Sequence, residues 1–185
     1  EAYPFTRIQY ALNEAASGDT VLVATGTYFE NIVWPETSDL KLIGENRENT
    51  IIDGDSLGRV IYMNVEIEID MNTEIRGFTV SNGYFNNLGG GIYLYDVSPT
   101  LSDLLITGNS SGTDGGGIYL SVSNAAISNL IISNNSANQG GGLFTTSGSP
   151  SFDNIMLSGN TAWQGGGLFC QGSSPTFDNL TVIGN

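Results

Sequence analysis

The sequence predicts an all-β fold, a right-handed parallel β-helix (solenoid) with coils of about 25 residues and a short N-terminal capping helix. The first observation is a Gly-Gly-Gly triplet that recurs with spacings of 26, 25 and 25 residues. The second is that apolar runs between Gly, Asn, Ser and Pro are too short for helices and read as strands. Strands of this length cannot bury a face alone, so successive units must stack in parallel. The triplets begin at Gly89, Gly115, Gly140 and Gly165.

The first element is the capping helix, predicted over residues 5–16. Apolar residues at helical spacing include Ile8 and Leu12, and Thr6 is the N-cap candidate. An open solenoid end exposes unpaired strand edges, so a terminal element unlike the repeats is expected there. Strands are then predicted over residues 21–24, 26–28, 30–33, 40–43 and 50–53.

The whole chain, residues 1–185, is predicted to be one β-helix domain. Residues 1–19 form the cap, 20–88 irregular coils and 89–185 regular Gly-Gly-Gly repeats. An antiparallel sandwich is the alternative, because its turn signals recur every 8–12 residues. A sandwich does not explain why chemically equivalent connections recur at a 25-residue step. The sequence ends within a repeat, so we expect the natural protein to continue beyond it.

Charge and composition exclude some partners. The formal net charge is −14 and the chain has no histidine, so nucleic acid, which needs cationic neutralisation of its phosphates, is not an expected partner. No run approaches the roughly 18 apolar residues of a membrane helix. The five basic residues all lie in the first part of the chain: Arg7, Lys41, Arg47, Arg59 and Arg76.

Two groups of residues resemble known families. The N-terminal part resembles the start of right-handed β-helix proteins of the pectin-lyase-like superfamily. The Gly-Gly-Gly-Ile and Phe-Asp-Asn units resemble the repeats of bacterial polymorphic outer-membrane proteins and related surface β-helix proteins. Both resemblances imply a β-helix that is exported, hence a secreted or cell-surface location. The N-terminal signature comprises residues 8–12 (IQYAL), 15–23 (AASGDTVLV), 26–28 (GTY), 30–32 (ENI), 42–44 (LIG) and 51–54 (IIDG).

The superfamily contains polysaccharide lyases, hydrolases and epimerases beside adhesins, so activity must be argued from sites. The lyases of that superfamily use a basic residue to abstract a proton, and no Lys or Arg follows Arg76. The hydrolase motifs require His and Asn-Thr-Asp, whereas Asn72-Thr73 is followed here by Glu74. No catalytic residue is therefore predicted, and whether the chain is an enzyme stays open, with the balance against it.

Four aspartates are candidate metal ligands, because calcium prefers oxygen ligands. Asp153 and Asp178 hold equivalent repeat positions, which stacking would place about 4.8 Å apart. Asp53 and Asp55 flank one glycine. The competing interpretations are a solvated ladder for the first pair and an Asp-Gly turn for the second. Calcium is the one cofactor considered, and no other is expected.

A column of amides recurs at the repeat step. Asn129, Asn154 and Asn179, preceded by Asp103, are predicted to stack from coil to coil in hydrogen-bonded ladders, since buried amides need partners. Their role is interpreted as structural.

A column of aromatics alternates with the aliphatic columns on either side. Period two places Tyr93, Tyr119, Phe144 and Phe169 on the face opposite the aliphatic core, as a stripe outside it. Such a stripe could bind sugar rings or a partner chain, or it could reinforce the sheet by stacking. The same register places Cys170 in the core.

The resulting prediction is a non-catalytic secreted or cell-surface β-helix module with an adhesive, glycan-binding or structural role. One alternative is a polysaccharide-active enzyme (lyase, hydrolase or epimerase) or a fragment of one. The other is a subunit of an extracellular filament. The expected partners are a polysaccharide or a cell-surface protein, or further copies of the chain by self-association.

Overall fold

The computed structural model describes residues 5–185. Within them, one short helix, α1 (Ile8–Glu14), precedes nineteen strands. In chain order these are β1 (Thr20–Val23), β2 (Gly26–Phe29), β3 (Ile32–Val33), β4 (Lys41–Gly44), β5 (Thr50–Asp53), β6 (Ile61–Met63), β7 (Glu74–Ser81), β8 (Tyr84–Phe85), β9 (Ile92–Tyr95), β10 (Thr100–Thr107), β11 (Ser110–Ser111), β12 (Ile118–Ser121), β13 (Ala126–Ser133), β14 (Ser136–Gln139), β15 (Leu143–Thr146), β16 (Ser151–Ser158), β17 (Thr161–Gln164), β18 (Leu168–Gln171) and β19 (Thr176–Ile183).

The strands form three parallel sheets, in which neighbouring strands come from successive coils. Sheet A follows the order β1-β4-β7-β10-β13-β16-β19, with β2 and β5 joined to it through β7. Sheet B runs β3-β6-β9-β12-β15-β18, and sheet C runs β8-β11-β14-β17. Seven strands along sheet A correspond to seven coils, which confirms the predicted parallel β-solenoid. Its right-handed sense stays a prediction from the rule for parallel crossover connections.

The pairing register reproduces the repeat spacing of the sequence. Tyr93 lies opposite Tyr119, Tyr119 opposite Phe144 and Phe144 opposite Phe169, at steps of 26, 25 and 25 residues. Each residue of a regular coil therefore packs on its own equivalent one coil away. The coil length of about 25 residues predicted from the glycine triplets is confirmed.

The glycine triplets are explained by close approach of neighbouring coils. A Cβ on Gly141 would lie 2.3 Å from the carbonyl oxygen of Thr161 and 2.6 Å from that of Gly166. No side chain fits at such distances. The triplets therefore mark the point where backbones of successive coils touch, and not a special backbone angle at each of the three positions.

The core is a set of aliphatic columns inside the stack. In β13 the buried residues are Ile127, Leu130 and Ile132, each at most 2 % exposed. Burying one such side chain contributes about 1.5–3 kcal/mol relative to leaving it exposed. The inward residues are not strictly alternate, because Asn129 adopts a positive φ of 57° and inserts one extra residue between the first two. The same arrangement recurs at Asp103, Asn154 and Asn179.

The capping helix is shorter than the predicted 5–16 and is capped differently. Its N-cap position is Arg7 and makes no side-chain capping bond. Instead the Glu30 carboxylate accepts hydrogen bonds from the backbone N–H of Ile8 at 2.8 Å and of Gln9 at 3.0 Å. An acid from a neighbouring segment therefore satisfies helix donors that Thr6 was expected to serve. Residues 1–4 of the predicted cap lie outside the described residues.

The side chain of Gln9 pairs with the strand nearest to it. Its amide nitrogen donates to the carbonyl oxygen of Val33 at 2.9 Å, and its amide oxygen accepts from the Val33 N–H at 2.7 Å. A side-chain amide thus satisfies both backbone groups of one residue of β3, as a neighbouring strand would.

Within residues 5–185 no helix has the length and apolarity that crossing a bilayer requires.

Candidate functional site

The aromatic column is buried, which corrects the expectation of an exposed stripe. Tyr93, Tyr119 and Phe144 are 9 %, 7 % and 1 % exposed, and only Phe169, in the last strand of sheet B, is half-buried. Consecutive rings are stacked with centroids 5.2–5.6 Å apart. The rings do lie outside the aliphatic core, in a separate cluster that Tyr62 and Leu88 join. Rings buried in this way cannot stack on a sugar, and the geometry agrees with the alternative in which they reinforce the sheet.

The first rings of this column are covered by Arg59, a residue that the sequence alone did not single out. Its guanidinium carbon lies 3.6 Å from the centroid of the Phe85 ring and 4.4 Å from that of Tyr93. Its Nε donates to the carbonyl oxygen of Leu88 at 2.8 Å. Arg59 therefore joins sheet B to the segment before the first glycine triplet through cation–π contacts. Burial lowers the pKa of this guanidinium, an effect that the nearby phenols partly oppose.

Burial also shifts the titration of the tyrosines in the column. It raises the pKa of Tyr93 and of Tyr119 above the usual value near 10, because the phenolate would be poorly solvated there. The positive charge of Arg59 opposes the shift at Tyr93 but is the smaller effect. Burial likewise raises the pKa of Asp114.

The predicted amide column is not buried. Asp103, Asn129, Asn154 and Asn179 are exposed, and each adopts a positive φ between 50° and 57° at the bulge in its sheet A strand. Asn and Asp tolerate this left-handed conformation better than other residues with a Cβ. One ladder bond is present, from Asn154 Nδ2 to Asn129 Oδ1 at 2.8 Å, whereas Asn179 Nδ2 instead approaches Asp153 Oδ1 at 3.4 Å.

The buried asparagine ladder lies six residues further along each coil. The Asn135 Oδ1 accepts from the Asn109 N–H at 2.9 Å and from Asn109 Nδ2 at 3.0 Å, and Asn160 serves Asn135 in the same way. Each Nδ2 also donates to a backbone carbonyl, that of Ile106 in the case of Asn135. The ladder comprises Asn109, Asn135, Asn160 and the exposed Asn185, and the dipeptides Gly-Asn and Asn-Asn that recur at the coil step mark it in the sequence.

The four candidate metal ligands do not form one cluster of ligands. Asp53 accepts a hydrogen bond from the Asp55 N–H at 2.9 Å and another from Asn82 Nδ2 at 2.7 Å, which is the geometry of an Asx turn. Asp153 and Asp178 lie opposite one another in the β16–β19 pairing and are exposed. Within residues 5–185 no three Asp, Glu or Cys side chains are grouped as metal ligands would be.

Cys170 occupies the column of Leu120 and Thr145, both buried in the core. It is nevertheless exposed, contrary to expectation, because β18 is the terminal strand of sheet B among the described residues and no strand is stacked on it. Its register position was correctly predicted, whereas its burial was not.

The outer face of sheet A carries a groove of about 430 Å³, which we call the sheet A groove. Its floor is an outward-facing column in which Ile131 is half-buried and Met156 is 42 % exposed. The bulge residues Asn129 and Asn154 line one side, and Thr181 lies at the end in the last coil. Exposed apolar surface and amide groups are therefore adjacent on one open face.

Arg47 closes the other end of the sheet A groove. It comes from the segment between β4 and β5, and its Nη1 lies 3.1 Å from Asp103 Oδ1 and donates to the Asn129 carbonyl oxygen at 3.2 Å. Its own carbonyl oxygen accepts from the Thr79 hydroxyl at 2.6 Å. This single side chain thus connects the second coil with the regular coils. Sequence spacing gave no sign of it, because the contact with Asn129 spans 82 residues.

Comparison with known proteins gives one match. The Chlamydia polymorphic membrane protein repeat matches residues 103–121 and 129–146, two stretches of the regular coils. No curated protein and no solved structure matches the chain. The likeness to the pectin-lyase-like superfamily stays a prediction. The matched repeats point to an outer-membrane or cell-surface protein, and together with the parallel solenoid they identify the chain as a β-helix repeat protein that resembles the polymorphic outer-membrane proteins.

Proposed function

We propose that the chain is a non-catalytic adhesive module of the cell surface, and that it binds a partner through the sheet A groove. The observation that carries the proposal is the groove itself, in which Met156 and Ile131 present apolar surface beside the amides of Asn129 and Asn154. An open apolar surface with a polar rim is typical of a binding site for another macromolecule.

The burial of the other candidate residues supports the sheet A groove as the binding site. The aromatic column is buried against Arg59, and the second asparagine column is buried in a hydrogen-bonded ladder. Those side chains stabilise the stack and are not available to a ligand. The sheet A groove, in contrast, combines exposed side chains from several successive coils on a rigid parallel sheet, and rigid elements hold a binding surface in place.

The aspartates in and near the groove favour a binding function over glycoside hydrolysis. Asp103 is engaged by Arg47, so it is not free to act as a general acid or base. Asp153 and Asp178 are exposed and lie on the same outer face, where a pair of stacked strands separates them by about 4.8 Å. Both project from one face of the same sheet, whereas a glycosidase needs its two carboxylates to flank the scissile bond.

The test is adhesion of coated beads. Latex beads carrying the purified chain are allowed to settle on cultured epithelial cells and on surfaces coated with polysaccharides, and the retained beads are counted after flow. Met156→Lys places a charge on the floor of the groove, and we expect it to remove most of the adhesion of wild-type beads. Trp163→Lys, which changes an 83 % exposed residue of sheet C in the same way, is the matched control.

Circular dichroism establishes that both variants keep the β-solenoid. Equal adhesion by the two variants would contradict a role for the sheet A groove. Absence of adhesion by wild-type beads on every surface would contradict the adhesive function itself.

A further inference from the structure

Residues 45–49 show how the sheet A groove accepts an arginine. The Arg47 guanidinium lies between the carboxylate of one bulge residue, Asp103, and the backbone carbonyl of the next, Asn129. The Arg47 backbone is held at the same time, because the Thr79 hydroxyl donates to its carbonyl oxygen. An arginine with both its side chain and its backbone bound on sheet A is thus already present within the fold.

Groups of similar chemistry recur in the later coils, where no segment of residues 5–185 covers them, although asparagine replaces the aspartate at the bulge. Thr79 belongs to the outward column that continues through the groove floor and ends at Thr181, which again offers a hydroxyl. Asn154 and Asn179 repeat the left-handed bulge of Asp103 and Asn129. Carboxylates stand one residue before these bulges, at Asp153 and Asp178. The free part of the groove therefore offers a hydroxyl and bulge carbonyls beside an apolar floor. The two carboxylates do not line it but are exposed next to the bulge residues Asn154 and Asn179.

Charge supports the same conclusion. No Lys, Arg or His occurs after Arg76, and within residues 5–185 the ion pairs include neither Asp153 nor Asp178. Two exposed carboxylates one coil apart repel each other and are stabilised by a cation. The aliphatic stem of an arginine can lie on apolar surface such as Met156 while its guanidinium reaches a carboxylate.

We infer that the sheet A groove binds an arginine-bearing extended segment of a partner protein, in the manner in which it holds Arg47. The guanidinium groups lie between Asp153 or Asp178 and the bulge carbonyls, and the segment runs over Met156 towards Thr181. This inference rests on the proposed function, since it names the chemistry of the partner for the same groove.

The test is binding of a fluorescein-labelled peptide of alternating Arg and Ser, followed by fluorescence anisotropy. The matched peptide carries citrulline, which has the shape of arginine without its charge. We expect the arginine peptide to bind and the citrulline peptide to bind at least about fivefold more weakly. Asp153→Asn/Asp178→Asn should weaken the arginine peptide about fivefold or more, because two partly exposed charge pairs are lost.

The control variant is Glu66→Gln/Glu68→Gln, which removes the same two charges from exposed residues outside sheet A. We expect its affinity to stay within about twofold of wild type. Equal weakening by the two double variants would show general attraction to an acidic protein and overturn the inference. Equal binding of the arginine and citrulline peptides would overturn it as well.

Bead adhesion distinguishes this inference from the proposed function. Adhesion that Met156→Lys abolishes but that the arginine peptide does not inhibit would support the adhesive function and overturn the arginine-bearing partner. Peptide binding that depends on Asp153 and Asp178, in a protein whose beads adhere to no surface, would support the arginine site and overturn adhesion.

Discussion

Asparagine plays two distinct roles within a few residues of each regular coil. Asn129 and its equivalents supply a left-handed bulge at the surface, whereas Asn135 and its equivalents supply buried side-chain hydrogen bonds. The second role is the more demanding, because a buried amide without partners costs free energy. Asn135 is 1 % exposed and satisfies groups of the coils on both sides of it.

The buried ladder gives a prediction at the scale of one residue. Asn135→Ala should lower the free energy of unfolding by about 3 kcal/mol, because it leaves the buried Asn109 donors without their shared acceptor. A urea titration followed by circular dichroism measures the change. Asn86→Ala removes an exposed amide and should cost less than about 0.5 kcal/mol. Similar losses in the two variants would contradict the importance of the ladder.

The two asparagine columns also mark the limit of what the sequence predicts about single residues. Both recur at the coil step, so spacing cannot tell which of them is buried. The bulge decides it, because Asn129 breaks the alternation of inward and outward side chains and shifts every following residue of the strand. A positive φ can be expected of an asparagine, but its place in a strand follows only from the folded backbone.

The sequence predicts the positions of the strands more accurately than it predicts which side chains are exposed. The predicted strand over residues 50–53 coincides with β5, and the other predicted N-terminal strands differ from the structure by one or two residues at their ends. The aromatic residues were correctly separated from the aliphatic core, yet they are covered by a second layer of chain. That layer depends on Leu88 and on the long-range contacts of Arg59, which have no periodic signal.

The aromatic column predicts how stability depends on alkaline pH. The unfolded tyrosines titrate near pH 10, and burial raises the pKa of Tyr93 and Tyr119 in the fold. The neutral phenols are therefore favoured by folding, so their stabilisation is complete below pH 10 and is lost as pH rises through the raised pKa values. We expect the melting temperature to fall above pH 10 in wild type.

Replacing the two phenols by the ring that occurs later in the same column tests this explanation. Tyr93→Phe/Tyr119→Phe should retain more of its melting temperature between pH 10 and 12 than wild type, as measured by thermal scans at each pH. Tyr84→Phe, at an exposed position, should follow the wild-type curve. The explanation fails when the double variant loses stability over the same pH interval as wild type.

Charge is unevenly distributed over the whole molecule. The net charge is −14, and only five of the nineteen acidic residues lie beyond residue 76. The irregular coils and the cap therefore carry most of the negative charge, while the regular coils present mainly hydroxyl and amide groups. The five are Asp96, Asp103, Asp114, Asp153 and Asp178.

This distribution predicts a general effect of salt on stability. Raising NaCl from about 0.01 M to 0.15 M shortens the screening length from roughly 30 to 8 Å, so repulsion within the acidic coils weakens and the melting temperature should rise. Thermal scans with CaCl2 at equal ionic strength separate screening from binding. A larger rise with calcium, lost in Asp153→Asn/Asp178→Asn or Asp53→Asn/Asp55→Asn, would contradict screening alone and assign a calcium site.

The in-register stacking of like on like has an evolutionary consequence. Phe144 packs on Phe169, and Asn135 bonds to Asn160, so the lower surface of one regular coil matches the upper surface of any other. Unequal recombination between two repeats of the gene would delete or duplicate one whole coil and still join matching columns. The length of such a protein can therefore change by single coils between lineages without a compensating mutation, which would alter how far the groove extends from the cap.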